Sequence, residues 1–318
     1  MTGEFDLIDR IRARVVARDD VRLGIGDDAA VLAVPAGLHL VVAMDTLNAG
    51  VHFPADTAPA DIGWKALAVN LSDLAAMGAV PAWCTVSLSM PTADAPWVDA
   101  FLDGFDALAR AHAVALVGGD TTRGPLSICV TVHGLVAQGR ALRRSAACAG
   151  DDIWISGAPG DAAGALRQWR AGGAVDPALR ERLDRPTPRL ALGDALVGVA
   201  HAAIDVSDGL LADLGHIARA SGLAAEIDLD DLPVSPALRA AFDADVRYRL
   251  QASGGDDYEL CFTAPPSVAD AVRGAARASA TPVTRIGRMQ AGAGVSVRLA
   301  GAPWAPQGAG WDHFAGAP

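Results

Sequence analysis

Residues 65–78 read Lys65-Ala-Leu-Ala-Val-Asn70-Leu-Ser-Asp73-Leu-Ala-Ala-Met-Gly78. Ala66, Ala68, Leu71, Leu74 and Ala75 leave little polar surface here, and the pattern predicts a mostly buried helix from about Ala60 to Met77, closed by Gly78. Asp73 sits inside it, three residues after Asn70. A carboxylate on such a helix either finds a solvated face or needs a partner, and a metal ion is one candidate. A second helix is predicted over Ala95–Ala111, where Trp97, Phe101, Phe105 and Leu108 recur at helical spacing. Around the two helices lie β-like runs at Ala30–Val34, Leu38–Met44, Thr85–Met90, Val114–Val117 and Ile128–Val136. Strands and helices alternate without the strict βαβ rhythm of a doubly wound sheet, which predicts an α+β fold.

Outward from this core, Leu7, Ile8, Ile11 and Val15 predict an amphipathic opening helix. The segment from Gly139 to Asp151 is basic and then small, and reads as a junction between a domain over 1–138 and another over 139–318. The second half carries strand-like runs at Ile153–Ser156, Ala225–Asp228, Leu260–Thr263 and Thr284–Gly287. Helices are predicted near Asp161–Arg170, Pro188–Val199 and Ser207–Ala220. The Gly/Pro/Ala-rich tail keeps Trp304, Trp311, His313 and Phe314, more aromatic surface than a disordered tail holds, so it is expected to dock.

The chain has 318 residues, 51% hydrophobic and 20% charged, which makes it globular and long enough for two domains. A net charge of −11 disfavours nucleic acid and anionic membrane surfaces as partners. Its basic residues are 25 Arg and a single Lys, Lys65, which lies in Ile62-Gly63-Trp64-Lys65-Ala66. That context fits neither a phosphate-binding Gly-Lys-Ser/Thr loop nor the strand lysine of protein kinases. Cys84, Cys129, Cys148 and Cys261 form no Cys-x-x-Cys pair, and His52, His216 and His313 show no metal-ligand spacing, so neither a zinc site nor a disulfide framework is expected. With no apolar leader and no spanning segment, a reducing cytoplasm is the expected location.

The acidic residues are 33 Asp against 4 Glu, and their positions are informative. Gly24-Ile-Gly-Asp-Asp28, Ala43-Met-Asp45-Thr, Leu71-Ser-Asp73, Val117-Gly-Gly-Asp120-Thr-Thr, Ile204-Asp205-Val-Ser-Asp208-Gly and Ser253-Gly-Gly-Asp256-Asp each place Asp after an apolar run. Such pairs are ordinary turn formers. They also suit a magnesium–polyphosphate site, because all-oxygen ligation selects hard cations and neighbouring glycines let backbone N–H groups approach an anion. Ser207 reads as an N-cap whose helix start offers N–H groups to a phosphate. Arg123, Arg143 and Arg144 are candidate phosphate partners, with surface solubility as the alternative, and Trp311 is either core filler or a stacking platform.

These motifs, in this order and together with Met44-Asp-Thr-Leu47, Gly50-Val-His-Phe53, Gly118-Gly-Asp-Thr-Thr-Arg-Gly124, Asp256-Asp-Tyr-Glu-Leu260 and Gly310-Trp-Asp-His-Phe314, resemble the thiamine-monophosphate kinase family of aminoimidazole-ribotide-synthetase-like ATP enzymes. The resemblance implies a two-domain α+β protein: an N-terminal mixed sheet with helices on one face, pairing in a homodimer, and a C-terminal α/β sandwich-like domain. It implies transfer of the γ-phosphoryl of ATP to thiamine monophosphate, with several Mg²⁺ ions per site and room for a monovalent cation. By position, Asp28, Asp45, Asp73, Asp120, Asp205 and Asp208 match metal ligands. Gly119, Asp120, Arg144 and Ser207 match nucleotide contacts, and His52, Asp256 and Trp311 match the thiamine-phosphate site. Two departures stand out: Ala43-Met44 replaces hydroxyl residues, and Asp256 replaces a Glu. A ligase or cyclase of the same superfamily and a non-catalytic nucleotide or thiamine sensor are the rival readings.

Overall fold

Strand residues 127–137 alternate in burial, with Ile128, Val130, Val132 and Val136 inside and their neighbours half-exposed, so this strand carries a sheet with two unlike faces. The computed structural model describes residues 4–305 and residue 310. The expected aromatic tail residues Trp311, His313 and Phe314 lie outside the described residues. The chain divides into two units, Met1–Leu74 with Ala79–Gly139, and Ala75–Gly78 with Arg140–Pro318. Each unit mixes helices with a sheet, an α+β arrangement. No helix among the described residues is long and apolar enough to cross a membrane.

The first unit runs α1 (Glu4–Arg12), β1 (Val21–Leu23), β2 (Val31–Leu32), β3 (Leu38–Asn48), α2 (Pro59–Ala76), β4 (Val80–Met90), α3 (Ala95–Ala111), β5 (Ala115–Arg123) and β6 (Ser127–Ala137). Its four-stranded sheet has the order β3-β6-β4-β5, with β4 and β5 parallel and the other pairs antiparallel. Leu74 of α2 rests against Gly134 on the buried face of β6, and the backbone of α3 at Phe101 touches Gly63 of α2. On the other face Leu40, Val42 and Met44 are exposed, with Met44 at 62%.

The second unit continues with β7 (Asp152–Ser156), α4 (Asp161–Arg170), α5 (Pro177–Asp184), α6 (Leu190–Leu196), β8 (Ala202–Asp205), α7 (Leu210–Ser221) and β9 (Ala224–Asp228). It ends with α8 (Pro236–Ala241), α9 (Ala244–Ser253), β10 (Leu260–Ala264), α10 (Ala269–Ala278), β11 (Val283–Gln290), β12 (Gly294–Leu299) and β13 (Ala302–Pro303). The seven strands order as β13-β12-β9-β11-β7-β10-β8. β7 and β10 are buried along their whole length, so both faces of the sheet centre are covered. Ile153, Ile155 and Cys261 join Leu210, Leu214 and Ile217 of α7 in one core, while Trp154 and Phe262 stack with ring centroids 6.4 Å apart.

Several expected boundaries moved. The Ala30–Val34 run is a two-residue strand paired with the short β1, and β3 continues past Met44 to Asn48. Asp45 and Asp120 therefore lie within strands rather than in turns, because the ladder pairings with β6 and β4 carry the backbone straight through them. Pro188–Val199 contracts to α6. The N-cap of α7 is Gly209 rather than Ser207.

Candidate active site

In the first unit a cavity of about 760 Å³ opens between the 25–30 loop and β5. Asp27, Asp28, Gly118, Gly119 and Asp120 line one part of it, and Ile8, Ile11, Phe101 and Phe105 line another. The pairing of β4 with β5 slips at Val117, an extra residue just before Gly118, and a bulge of this kind re-aims the side chains that follow. Gly119 is required by close approach, since a Cβ there would lie 1.9 Å from the Val86 carbonyl oxygen. Asp28 and Asp120 are exposed, and neither side chain has a hydrogen bond or ion pair among the described residues. The Arg12 guanidinium also borders the cavity, packed on Gly26, and likewise has no carboxylate partner among them.

Asp45 and Asp73 lie outside that cavity lining but are tied to one another's neighbourhood. The Asp45 N–H donates to Asn70 Oδ1 at 2.9 Å, and the fully buried Asn70 stands one turn before Asp73 on α2. Alternation along β3 puts Asp45 on the face that carries buried Leu47, whereas Met44 is on the exposed face. Met44 therefore stands on the opposite face of β3 from Asp45. His52 follows β3; its Nδ1 accepts the Asn48 N–H at 2.9 Å, and its carbonyl accepts a hydrogen bond from Lys65 Nζ at 3.0 Å. The only lysine in the chain, 1% exposed, is a strut for this loop.

In the second unit Asp205 ends β8, and the loop after it pairs with the loop before β10. The N–H groups of Asp256 and Tyr258 donate to the carbonyls of Ser207 and Val206, both at 2.8 Å. Asp205, Ser207, Asp208 and Asp256 are thereby gathered. The N–H groups of Ser207, Asp208 and Gly209 all point at one oxygen, Asp213 Oδ2, at 3.1 Å each. They are therefore committed to a carboxylate rather than open to a phosphate. Burial, then repulsion from Asp205 and Asp208, pushes the Asp213 carboxyl up to about 7. Asp256 has φ 67°, a left-handed conformation that Asp tolerates better than Glu, and it accepts the Tyr258 hydroxyl at 3.0 Å.

A buried polar layer supports these loops. Asp257 accepts the Gly160 N–H through both oxygens, at 2.8 and 2.9 Å, and burial holds its carboxyl well above the ordinary range. Glu259, with no exposed surface, accepts Arg182, Arg189 and the Ser156 hydroxyl; burial opposes its charge, but the two arginines outweigh it and hold the group low. A Cβ at Gly157 would lie 2.1 Å from the Glu259 carboxylate, so the glycine turn makes room for this layer. Arg144 is exposed beside α7: its carbonyl accepts the Ser221 hydroxyl at 3.0 Å. Its charge acts on His216, which burial, Arg219 and Arg144 push down while Asp208 pulls it up, so Arg144 and Asp208 share one neighbourhood.

Residues 26–136 match the family described as AIR synthase related protein, N-terminal domain, and residues 149–300 match its C-terminal counterpart. The thiamine-monophosphate kinase of Salmonella typhimurium is 48% identical over 98% of each chain. The chain belongs to the thiamine-monophosphate kinase family. Within that family, the crystal structure of the Stenotrophomonas maltophilia thiamine-monophosphate kinase superposes with a TM-score of 0.87 at 58% identity, covering 94% of this chain and 97% of the other. A structure of AaThiL complexed with AMPPCP and TMP gives a TM-score of 0.78 at 32% identity, covering 98% and 97%. Against this family background the sequence reading assigned no site role to Arg12, Asp213 or the Glu259–Arg182–Arg189 cluster, and Lys65 entered only as evidence against two ATP-binding motifs. Glu259, as one of 4 Glu, and Lys65, as the single lysine, carried a signal; the others become visible through contacts remote in sequence or buried within a turn.

Proposed function

We propose that this chain transfers the γ-phosphoryl group of ATP to thiamine monophosphate, giving thiamine diphosphate and ADP. The observation that carries the reading is the first-unit cavity, where Asp28, Asp120 and Arg12 face one space in a chain aligning with thiamine-monophosphate kinases over 98% of its length. A relative captured with AMPPCP and TMP supports the two substrates.

Mg²⁺ suits the donor chemistry: Asp28 and Asp120 offer carboxylate oxygens with no protein partner among the described residues, and Asp213, raised first by its burial, is raised further by the neighbouring Asp205 and Asp208. In the proposal Asp28, Asp45, Asp73 and Asp120 of the first unit, and Asp205 and Asp208 of the second, hold the ions. When bound, Mg²⁺ supplies charge neutralisation for the polyphosphate. Arg12 and Arg144 add donors to phosphate oxygens, Gly119 admits the nucleotide backbone-close, and the Ser207 hydroxyl contacts it. His52, Asp256 and Trp311 position thiamine monophosphate, with the Lys65 strut fixing the His52 loop.

A phosphate monoester is largely deprotonated at neutral pH, so an acceptor oxygen attacks the γ-phosphorus directly and the bond to the β–γ bridging oxygen breaks, releasing ADP. Repulsion between the two anions is the obstacle, and positioning plus electrostatics removes it. No phospho-enzyme forms. Incubation with Mg²⁺, ATP and thiamine monophosphate should yield equal amounts of thiamine diphosphate and ADP. ATP loss without thiamine diphosphate would indicate a ligase or cyclase, and binding without ADP release a sensor; a labelled covalent intermediate from ATP alone would rule out direct transfer.

The same reading includes a homodimer formed through the open face of the first unit's sheet. Leu40, Leu135 and Val80 stand in register across β3, β6 and β4, and Leu40, Val42, Met44 and Val80 are all exposed. A self-complementary second copy would cover this row. Sedimentation should show a dimer for the wild type and a monomer for Val42→Asp/Met44→Asp; a monomeric wild type would reject it.

A further inference from the structure

Cys148, Asp151 and His201 match no ligand-spacing pattern in the sequence, yet the fold of the second unit brings them together. The thiol sulfur, a carboxylate oxygen and a ring nitrogen all lie within 4.8 Å of one another. Asp151 is 2% exposed, whereas Cys148 is exposed and His201 half-exposed, so the group is a buried anion with an accessible mouth.

The electrical environment of Asp151 is unusual. Its neighbour Asp152 is neutralised by Arg285 and Arg288, at 2.7 and 3.3 Å. Asp151 has no arginine or lysine partner among the described residues: its contacts are the Cys148 N–H at 2.8 Å, the Thr263 hydroxyl at 3.3 Å and His201 Nδ1 at 2.9 Å. A buried carboxylate without a fixed cation is costly, and a bound cation removes that cost. The donor set is one sulfur, one nitrogen and one oxygen, which suits a borderline-soft transition ion rather than Mg²⁺.

We infer that Cys148, Asp151 and His201 form a surface site for a divalent transition metal of the Zn²⁺ class, with water completing four-coordination. Metal–ligand bonds of about 2.0–2.3 Å place tetrahedral ligands about 3.5 Å apart, so a modest rotation of the exposed Cys148 side chain closes the site. The thiol gives up its proton on binding. The site is separate from the acidic loops of the same unit. His201 precedes β8 and Asp205 ends it, so the two are about 13 Å apart along the strand. The antiparallel partner β10 likewise has Thr263 at the metal end and the Asp256 loop beyond its other end.

The test uses reduced, chelator-treated full-length protein with saturating Mg²⁺, titrated with Co²⁺. Oxygen-only sites give no thiolate-to-cobalt charge-transfer absorption, so that band isolates this site. The expected result is a band saturating at one equivalent per chain, displaced by Zn²⁺, lost in Cys148→Ser, and requiring at least tenfold more Co²⁺ in His201→Gln. Both variants should keep wild-type kinase turnover with Mg²⁺ and ATP and an unchanged circular dichroism spectrum. No band in the wild type, a band that persists in Cys148→Ser, or an unaltered Co²⁺ affinity in His201→Gln would overturn the inference.

Discussion

In the first unit Asp28, Asp45 and Asp120 are exposed and ride on strands or a short loop, with backbone hydrogen bonds fixing their positions. In the second, Asp205 and Asp213 are 5% and 3% exposed, three N–H groups converge on Asp213, and Glu259 with Arg182 and Arg189 backs the loop from below. The contrast separates two ways of building an acidic site. The first unit leaves Asp28 and Asp120 exposed to solvent, so altering either is expected to change chemistry with little effect on folding. The second pre-organises a loop with buried charges, so altering those changes folding before chemistry.

The sharpest break in that comparison is Asp120→Asn. It should lower kcat by about 100- to 1,000-fold, up to about 4 kcal/mol of barrier, while the unfolding midpoint stays put. Asp73→Asn should follow the same pattern. A large loss of stability in either would show that these residues serve the fold first. Glu259→Gln should do the reverse, because it strands two arginines on a buried amide. Denaturant titration should record a loss of about 3 kcal/mol, with turnover per folded molecule within a few-fold of wild type. An unaltered unfolding curve would show that the buried layer does not support the loop. The smallest effect belongs to Arg12→Ala, which should raise KM for ATP about tenfold with kcat changed less, as expected for loss of one charged donor to phosphate. Unchanged KM would remove Arg12 from the nucleotide site.

Legibility in the sequence followed the range of the interactions involved. The 60–77 helix was readable because its apolar neighbours and the Gly78 stop are local, and α2 ends within one residue of that reading. The strand positions of Asp45 and Asp120 were not, because polar residues on an edge strand look like turn residues until the partner strand is known. α5 was missed because PALRERLD is short and polar, and its Arg182 matters only through Glu259, remote in sequence. Ser207 looked like an N-cap, but its N–H is taken by Asp213 and the cap falls at Gly209. For Asp28, Gly119 and Asp120 the glycine-flanked motifs were sufficient to pick out residues that line one cavity. Cys148, Asp151 and His201 were invisible as a group because no recognised ligand spacing links them.

Whether these carboxylates hold divalent ions against the phosphates of ATP is tested most directly by a crystal structure with Mg²⁺ and a non-hydrolysable ATP analogue. The prediction is ions about 2.1 Å from oxygens of Asp28 or Asp120, each also touching a phosphate oxygen. Phosphates bound with ordered Mg²⁺ and none of these carboxylates in coordination range would contradict it.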